Sequence, residues 1–183
     1  MQMPPIDGDD QAMLDAANYA RDETLRDGTR TVIRSLRPDD ETGMLAALEQ
    51  ASKQSLQRRF FAPKRHFSDR ERSFFMNADF KNHVALVACT KDADMIIGGG
   101  RYIVFEASRA ELAFFVVDAW QGRGLGGLLT SHLIGIARAA RLSQLRAEVL
   151  PENVAMSNVL KEHGFGTTAG PGADVAHWVL DLT

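Results

Sequence analysis

Gln121-Gly122-Arg123-Gly124-Leu125-Gly126-Gly127 decides how this chain of 183 residues is read. The apolar run Leu112-Ala113-Phe114-Phe115-Val116-Val117 precedes it, and an amphipathic segment from Leu128 to Ala140 follows. The order reads as strand, glycine-rich turn, helix. The first N–H groups of a helix lack intrahelical partners and sit at its positive end, so such a turn receives anions, a diphosphate among them. Glycine there permits unusual dihedrals and lets a ligand come close to the backbone.

Two nucleotide motifs compete for the same residues. Gly122, Gly124 and Gly127 satisfy the G-x-G-x-x-G dinucleotide spacing, with Glu148 about 20 residues on. That fingerprint belongs to a doubly wound parallel sheet, whereas the upstream strands here are joined by short turns suited to antiparallel pairing. Too little chain follows Gly127 to complete such a fold. A triphosphatase loop needs Lys and Ser or Thr directly after its last glycine, where this chain has Leu128 and Leu129. The first alternative is weak and the second fails.

Gln121, Gly124 and Gly126 match the pattern Q/R-x-x-G-x-G/A, which resembles the acyl-CoA-binding turn of the GNAT superfamily of N-acetyltransferases. The resemblance continues through the next strand, Leu145 to Val149, a helix opening around Pro151 to Asn158, and its end at His163-Gly164-Phe165. It covers Glu111 to Phe165 most strongly and Thr31 to Pro38 more weakly. Ala110-Glu111-Leu112-Ala113-Phe114, Trp120 to Gly124, and Asn153 with Met156 are similar to the bacterial protein-lysine acetyltransferase branch. The large accessory domains that often accompany that branch are not expected here.

The resemblance implies an α/β (α+β) fold: a mixed, mostly antiparallel twisted sheet of about six or seven strands, helices on both faces, and a V-shaped splay. Acetyl-CoA is the implied cosubstrate. Its pantetheine arm would lie in the splay, with Phe115 and Val117 supplying the free backbone groups and Val116 between them completing the stretch. Its diphosphate would sit on Gln121, Gly122, Arg123, Gly124, Leu125, Gly126 and Gly127, with Arg123 adding charge, and Asn153 and Met156 complete the set. Glu111 is the implied general base, since desolvation near an apolar strand can raise a carboxylate toward the working pH; Glu106 is the reserve. Many relatives place a proton-donating Tyr where this chain has Leu160, and neither Tyr19 nor Tyr102 is near it in sequence. Ser157 and His163 are the substitutes to consider. The expected acceptor is a primary amine, a protein lysine first and a small amine or amino acid second; a non-catalytic acyl-CoA sensor is the alternative class.

Composition sets the remaining bounds. With 45% hydrophobic and 25% charged residues this is an ordinary globular chain, and a formal charge of −3 argues against nucleic acid as a partner. Cys89 alone excludes an intrachain disulfide and fits a reducing compartment. The acidic N-terminus carries no signal-like segment and no apolar run approaches membrane length, so a cytoplasmic protein without membrane contact is expected. The five histidines and Cys89 lack metal-ligand spacing, so no metal is expected.

Along the chain, Asp9 to Arg26 has a modest helical pattern, making residues 1–28 an N-terminal helical extension and 29–183 one acetyltransferase domain. Thr29 to Leu36 reads as a strand, Pro38 to Ala51 as a helix with proline and acids in its first turn, and Leu56 to Asn77 as one or two short helices broken near Pro63. Val84 to Ala88 and Met95 to Phe105 read as paired strands, the second with close backbone approach at Gly98-Gly99-Gly100. Strands near Gly166 to Thr168 and Ala176 to Leu182 close the chain, and a homodimer through a sheet edge is plausible. Arg58-Arg59 and Lys64-Arg65 read as solvated helix charge or a basic rim. Phe60, Phe61, Phe67, Phe74 and Phe75 read as core or acceptor-pocket lining.

Overall fold

The computed structural model describes residues 15–62, 64, 66–168 and 172–183. Among the described residues, eight strands form one sheet: β1 (Ala20–Thr24), β2 (Arg30–Ser35), β3 (His83–Thr90), β4 (Ile96–Glu106), β5 (Arg109–Val116), β6 (Gln144–Val149), β7 (Gly166–Thr167) and β8 (Ala176–Asp181). They lie in the order β1-β2-β3-β4-β5-β6-β8-β7. Every neighbouring pair is antiparallel except β5 and β6, which are parallel. A parallel pair needs a long crossover, and here it is the glycine turn followed by α4 (Leu125–Ala139).

β3 is buried along its whole length, and its alternate side chains feed two cores. Val84, Leu86 and Ala88 join Leu129, Leu133 and Ile136 of α4 and Leu160 of α5 (Val154–Glu162) in the larger one. Ala85, Val87 and Cys89 join Leu36, Ile96, Val117 and Ala47 of α1 (Glu41–Glu49) on the opposite face. Two short helices, α2 (Lys53–Phe60) and α3 (Asp69–Met76), follow α1, and each opens on a serine cap: Ser52 Oγ accepts from Ser55 N–H, Ser68 Oγ from Glu71 N–H. Phe60, Phe67 and Phe75 pack together with ring centroids 5.1–5.8 Å apart. The expected break near Pro63 falls on a residue outside those described. The glycines of β4 serve close packing: a Cβ on Gly98 would lie 2.8 Å from Phe115 O, and one on Gly100 2.9 Å from Leu133 Cδ1.

The N-terminal segment corrects the helical expectation. Residues 1–14 lie outside those described. Ala16–Asn18 makes one 3-10 turn, capped by Asp15, and Ala20–Thr24 is then β1, paired antiparallel with β2. Ala20-Arg21-Asp22-Glu23-Thr24 is an edge strand with its side chains mostly in solvent, so it carries no apolar alternation for a sequence reading to find. It also raises the strand count among the described residues to eight, above the six or seven expected.

Candidate active site

The parallel pairing of β5 with β6 covers only Arg109–Glu111 against Gln144–Arg146. Past Glu111, β5 stays with β4 while β6 continues with β8. The two strands part, and a cleft of about 390 Å³ opens at the divergence. β5 from Glu111 to Val116 and the glycine turn form two of its walls. The C-terminal half of α2, with Arg58, Arg59 and Phe61 just beyond, and the start of α5 form the others.

Backbone groups alternate sides along an antiparallel strand. Val117 N–H donates to Ile97 O at 3.0 Å, so Phe115, two residues earlier and opposite Gly99, also turns its backbone toward β4. Leu112, Phe114 and Val116 turn theirs toward the gap, and Gln121 Nε2 donates to Val116 O at 3.1 Å from that side. The expectation that Phe115 and Val117 offer free backbone groups is therefore corrected by one residue. Val117 does not line the cleft; its side chain is buried in the α1-side core. Phe115 and Val116 do line it.

The turn needs its glycines for two reasons. Gly122 and Gly124 have φ of +75° and +89°, which a side chain disfavours. Gly126 backs onto β5, where an added Cβ would lie 3.0 Å from Phe114 Cε2. Gly124 caps α4, so the N–H groups of Leu125, Gly126 and Gly127 have no intrahelical acceptor. Neighbours hold the turn on both sides: Gln121 Nε2 donates to Ser55 Oγ (3.2 Å), Ser52 N–H to Asp118 Oδ1 (3.0 Å), and Arg26 N–H to Arg123 O (3.1 Å). Gln121, Gly122, Gly124, Leu125, Gly126 and Gly127 line the cleft.

Arg123 does not line it. Its guanidinium pairs with Asp27 (2.7 Å), donates to Ala119 O (2.9 Å) and lies over the Trp120 ring, 4.5 Å from the centroid. The side-chain cation beside the glycines is instead Arg26.

Glu111 stands where the strands separate. Its carboxylate is 43% exposed and accepts from Arg146 Nη2 at 3.2 Å, so the desolvation expected at this position is replaced by an ion pair. Arg59 lies across from it over the Phe60 ring, and burial pulls its guanidinium down to about 10 against the opposing effect of Glu111. Arg146 stacks on Phe105, 3.9 Å from the ring centroid. Glu148 also lines the cleft and faces His177 at 3.5 Å. Glu106, the reserve, is exposed, paired with Arg109, and outside the cleft lining.

Asn153 and Met156 line the cleft, and Asn153 Oδ1 caps α5 by accepting from Met156 N–H (3.3 Å). Leu160 is fully buried in the core, while Ser157 and His163 lie outside the cleft lining; His163 Nδ1 donates to Val159 O (2.7 Å). Tyr19 and Tyr102 are buried away from the cleft lining. Cys89 is buried in β3, and burial pushes its thiol up to about 11. Among the described residues, no group of His, Cys, Asp or Glu has the arrangement to hold a metal. No helix among them is long and apolar enough to cross a membrane.

The sequence reading missed Arg26, Ser55 and Phe114 as cleft residues, and it weighed Glu148 only against a different motif. Arg26 lies almost a hundred residues ahead of the turn it touches, and no local signal in the sequence links the two.

Residues 30–166 match the model of the acetyltransferase (GNAT) domain family. Acetyltransferase Pat of Mycolicibacterium smegmatis is 28% identical over 145 residues, which cover 76% of this chain and 42% of that protein. This chain thus spans less than half the length of that relative. The GNAT domain of PAT from S. lividans superposes with a TM-score of 0.83 at 32% identity, covering 88% of this chain and 96% of the other. The acetyltransferase fold of yncA from Salmonella typhimurium, solved with acetyl-CoA, superposes with a TM-score of 0.69 at 20% identity over 84% of this chain and 94% of the other.

Proposed function

The chain belongs to the GNAT family of acetyl-CoA-dependent acetyltransferases, and from that premise we propose that Glu111 drives direct acetyl transfer to a primary amine, a protein lysine side chain. The observation that carries this reading is that β5 and β6 part at Glu111, inside a cleft that also holds the glycine turn. The residues fit the cosubstrate: unpaired helix N–H groups suit a diphosphate, the gap-facing backbone of Phe114 and Val116 suits the amides of pantetheine, and yncA binds acetyl-CoA on the same fold.

Acetyl-CoA supplies an activated thioester carbonyl. Glu111 takes a proton from the acceptor ammonium, leaving the nitrogen lone pair free to attack that carbonyl carbon. The N–C bond forms, the now cationic nitrogen gives its second proton to water, and the C–S bond breaks; the thiolate leaves and takes a proton from water. A gap-facing N–H of β5 beyond Glu111 stabilises the charge that gathers on the oxygen. Holding thioester and amine together contributes several kcal/mol. With Leu160 in the core, no side chain at that position donates to the thiolate.

Two features support a lysine acceptor: the resemblance of Ala110 to Phe114 and Trp120 to Gly124 to the protein-lysine branch, and the acids Glu111, Glu148 and Glu162 along the cleft. A second reading, a small amine that itself carries a carboxylate, draws on Arg58, Arg59 and Arg146 in or beside the same walls. Coenzyme A release with lysine peptides and with free amino acids tests them. Faster turnover of peptides supports the lysine reading; turnover of free amino acids alone replaces it with the second.

A further inference from the structure

The residues just ahead of the family match reach into the cleft. β1 runs into a tight turn in which Leu25 N–H donates to Thr29 O and Gly28 N–H to Leu25 O, both at 2.9 Å. This turn is fastened to the glycine-rich turn twice, by the Asp27–Arg123 ion pair at 2.7 Å and by Arg26 N–H donating to Arg123 O. A second attachment joins β1 to α4. His132 Nε2 donates to Glu23 Oε1 at 2.7 Å, and its Nδ1 accepts from the Tyr19 hydroxyl.

These attachments lay Arg26 along Gly124. A Cβ built on Gly124 would stand 3.2, 3.4 and 3.5 Å from Arg26 Nε, Cγ and Cδ. Arg26 lines the cleft at its glycine end and has no acidic partner among the described residues, whereas the adjacent Arg123 is held by Asp27. The other cleft arginines, Arg58 and Arg59, stand on the α2 wall, Arg59 facing Glu111.

We propose that Arg26, carried on the turn after β1 and outside the family match, is the side-chain cation that binds the diphosphate of acetyl-CoA. The assignment rests on the reading of the cleft as the acetyl-CoA site. A guanidinium presents a planar fork that suits phosphate oxygens, and here it stands beside the positive end of α4, so the two attractions act on one group. The ion pair of Asp27 with Arg123 keeps that acid from competing for Arg26. The attachments of Tyr19 and Glu23 to His132 give β1 a positioning role, holding Arg26 over the turn.

The test is calorimetric titration of the full chain with acetyl-CoA and with its 3′-dephospho form, which keeps the diphosphate. Wild type, Arg26→Ala, Arg26→Lys and the exposed helix variant Arg138→Ala are compared, with thermal melting as the folding control. Expected is a loss of roughly tenfold in affinity for Arg26→Ala toward both ligands, partial recovery in Arg26→Lys, and no change in Arg138→Ala or in melting. Wild-type affinity in Arg26→Ala overturns the proposal. A loss confined to the 3′-phosphorylated ligand overturns the diphosphate assignment. Failure of the wild type to bind either ligand overturns the cofactor reading, and the proposal with it.

Discussion

Lowering the pH from 7 to 5 should destabilise this fold through His83. His83 is 8% exposed at the start of β3, where its Nε2 accepts from Arg101 Nη1 at 2.9 Å and its ring stacks on Phe74, centroids 5.2 Å apart. Burial first, and the Arg101 charge second, pull the imidazole from 6.5 down to about 4, with Asp79 opposing. The folded state therefore holds His83 neutral, while the unfolded chain takes up a proton as the pH falls through 6.5. Stability contributed by the neutral ring is complete above 6.5 and declines from there toward the folded value. At pH 5 the unfolded side chain is one and a half units below its own midpoint and the folded one is still largely neutral. At about 1.4 kcal/mol per unit the loss is about 2 kcal/mol. Urea unfolding of wild type and His83→Gln at pH 7 and pH 5 measures it. The variant keeps an acceptor for Arg101 and has nothing to titrate, so the wild type should lose about 2 kcal/mol more than the variant between the two pH values. Equal losses in both proteins would show that protonation of His83 does not set the acid sensitivity.

Asp40→Asn breaks a buried pair: Asp40 accepts from Arg34 Nη1 and Nη2, both at 2.8 Å, and from Arg37 N–H at 2.7 Å. Loss of the charge opposite buried Arg34 should cost roughly 3 kcal/mol in urea unfolding at pH 7. Burial raises the Asp40 carboxyl, but those contacts outweigh it and hold it below the ordinary range. The pair's contribution is thus present above about pH 4 and fades as the pH falls toward the folded value, so variant and wild type should converge in acid. Gly124→Ala forces a side chain onto φ +89° and against Arg26, whereas a Cβ on Gly122 meets nothing within 4 Å. Both should lose about 1 kcal/mol of stability from the backbone alone, with acetyl-CoA affinity falling further in Gly124→Ala than in Gly122→Ala by titration.

The central strands and the turn were legible in the sequence because their constraints are local. β5 is an apolar run against a helix, and Gly122 and Gly124 occupy dihedrals that few other residues tolerate. The resemblance carried the splay of the central strands, which periodicity alone does not reveal, but its start at Glu111 emerged only from the pairing of β5 with β6. β1 was not legible, since an exposed edge strand is held by its backbone ladder and its charged side chains leave no pattern. Arg123 misled for a related reason: its place in the motif says nothing of Asp27, 96 residues away. The offset at Val116 follows from which side of the ladder Val117 faces, a matter of register with β4 that one strand does not encode.

The most direct test of the account is the initial rate of coenzyme A release by wild type and Glu111→Gln with a lysine peptide at saturating acetyl-CoA, beside the affinity of both for acetyl-CoA. With Glu111 as the general base, kcat should fall by about 10² to 10⁴ with coenzyme affinity unchanged, the range expected for losing such a base. An undiminished kcat in Glu111→Gln would contradict it.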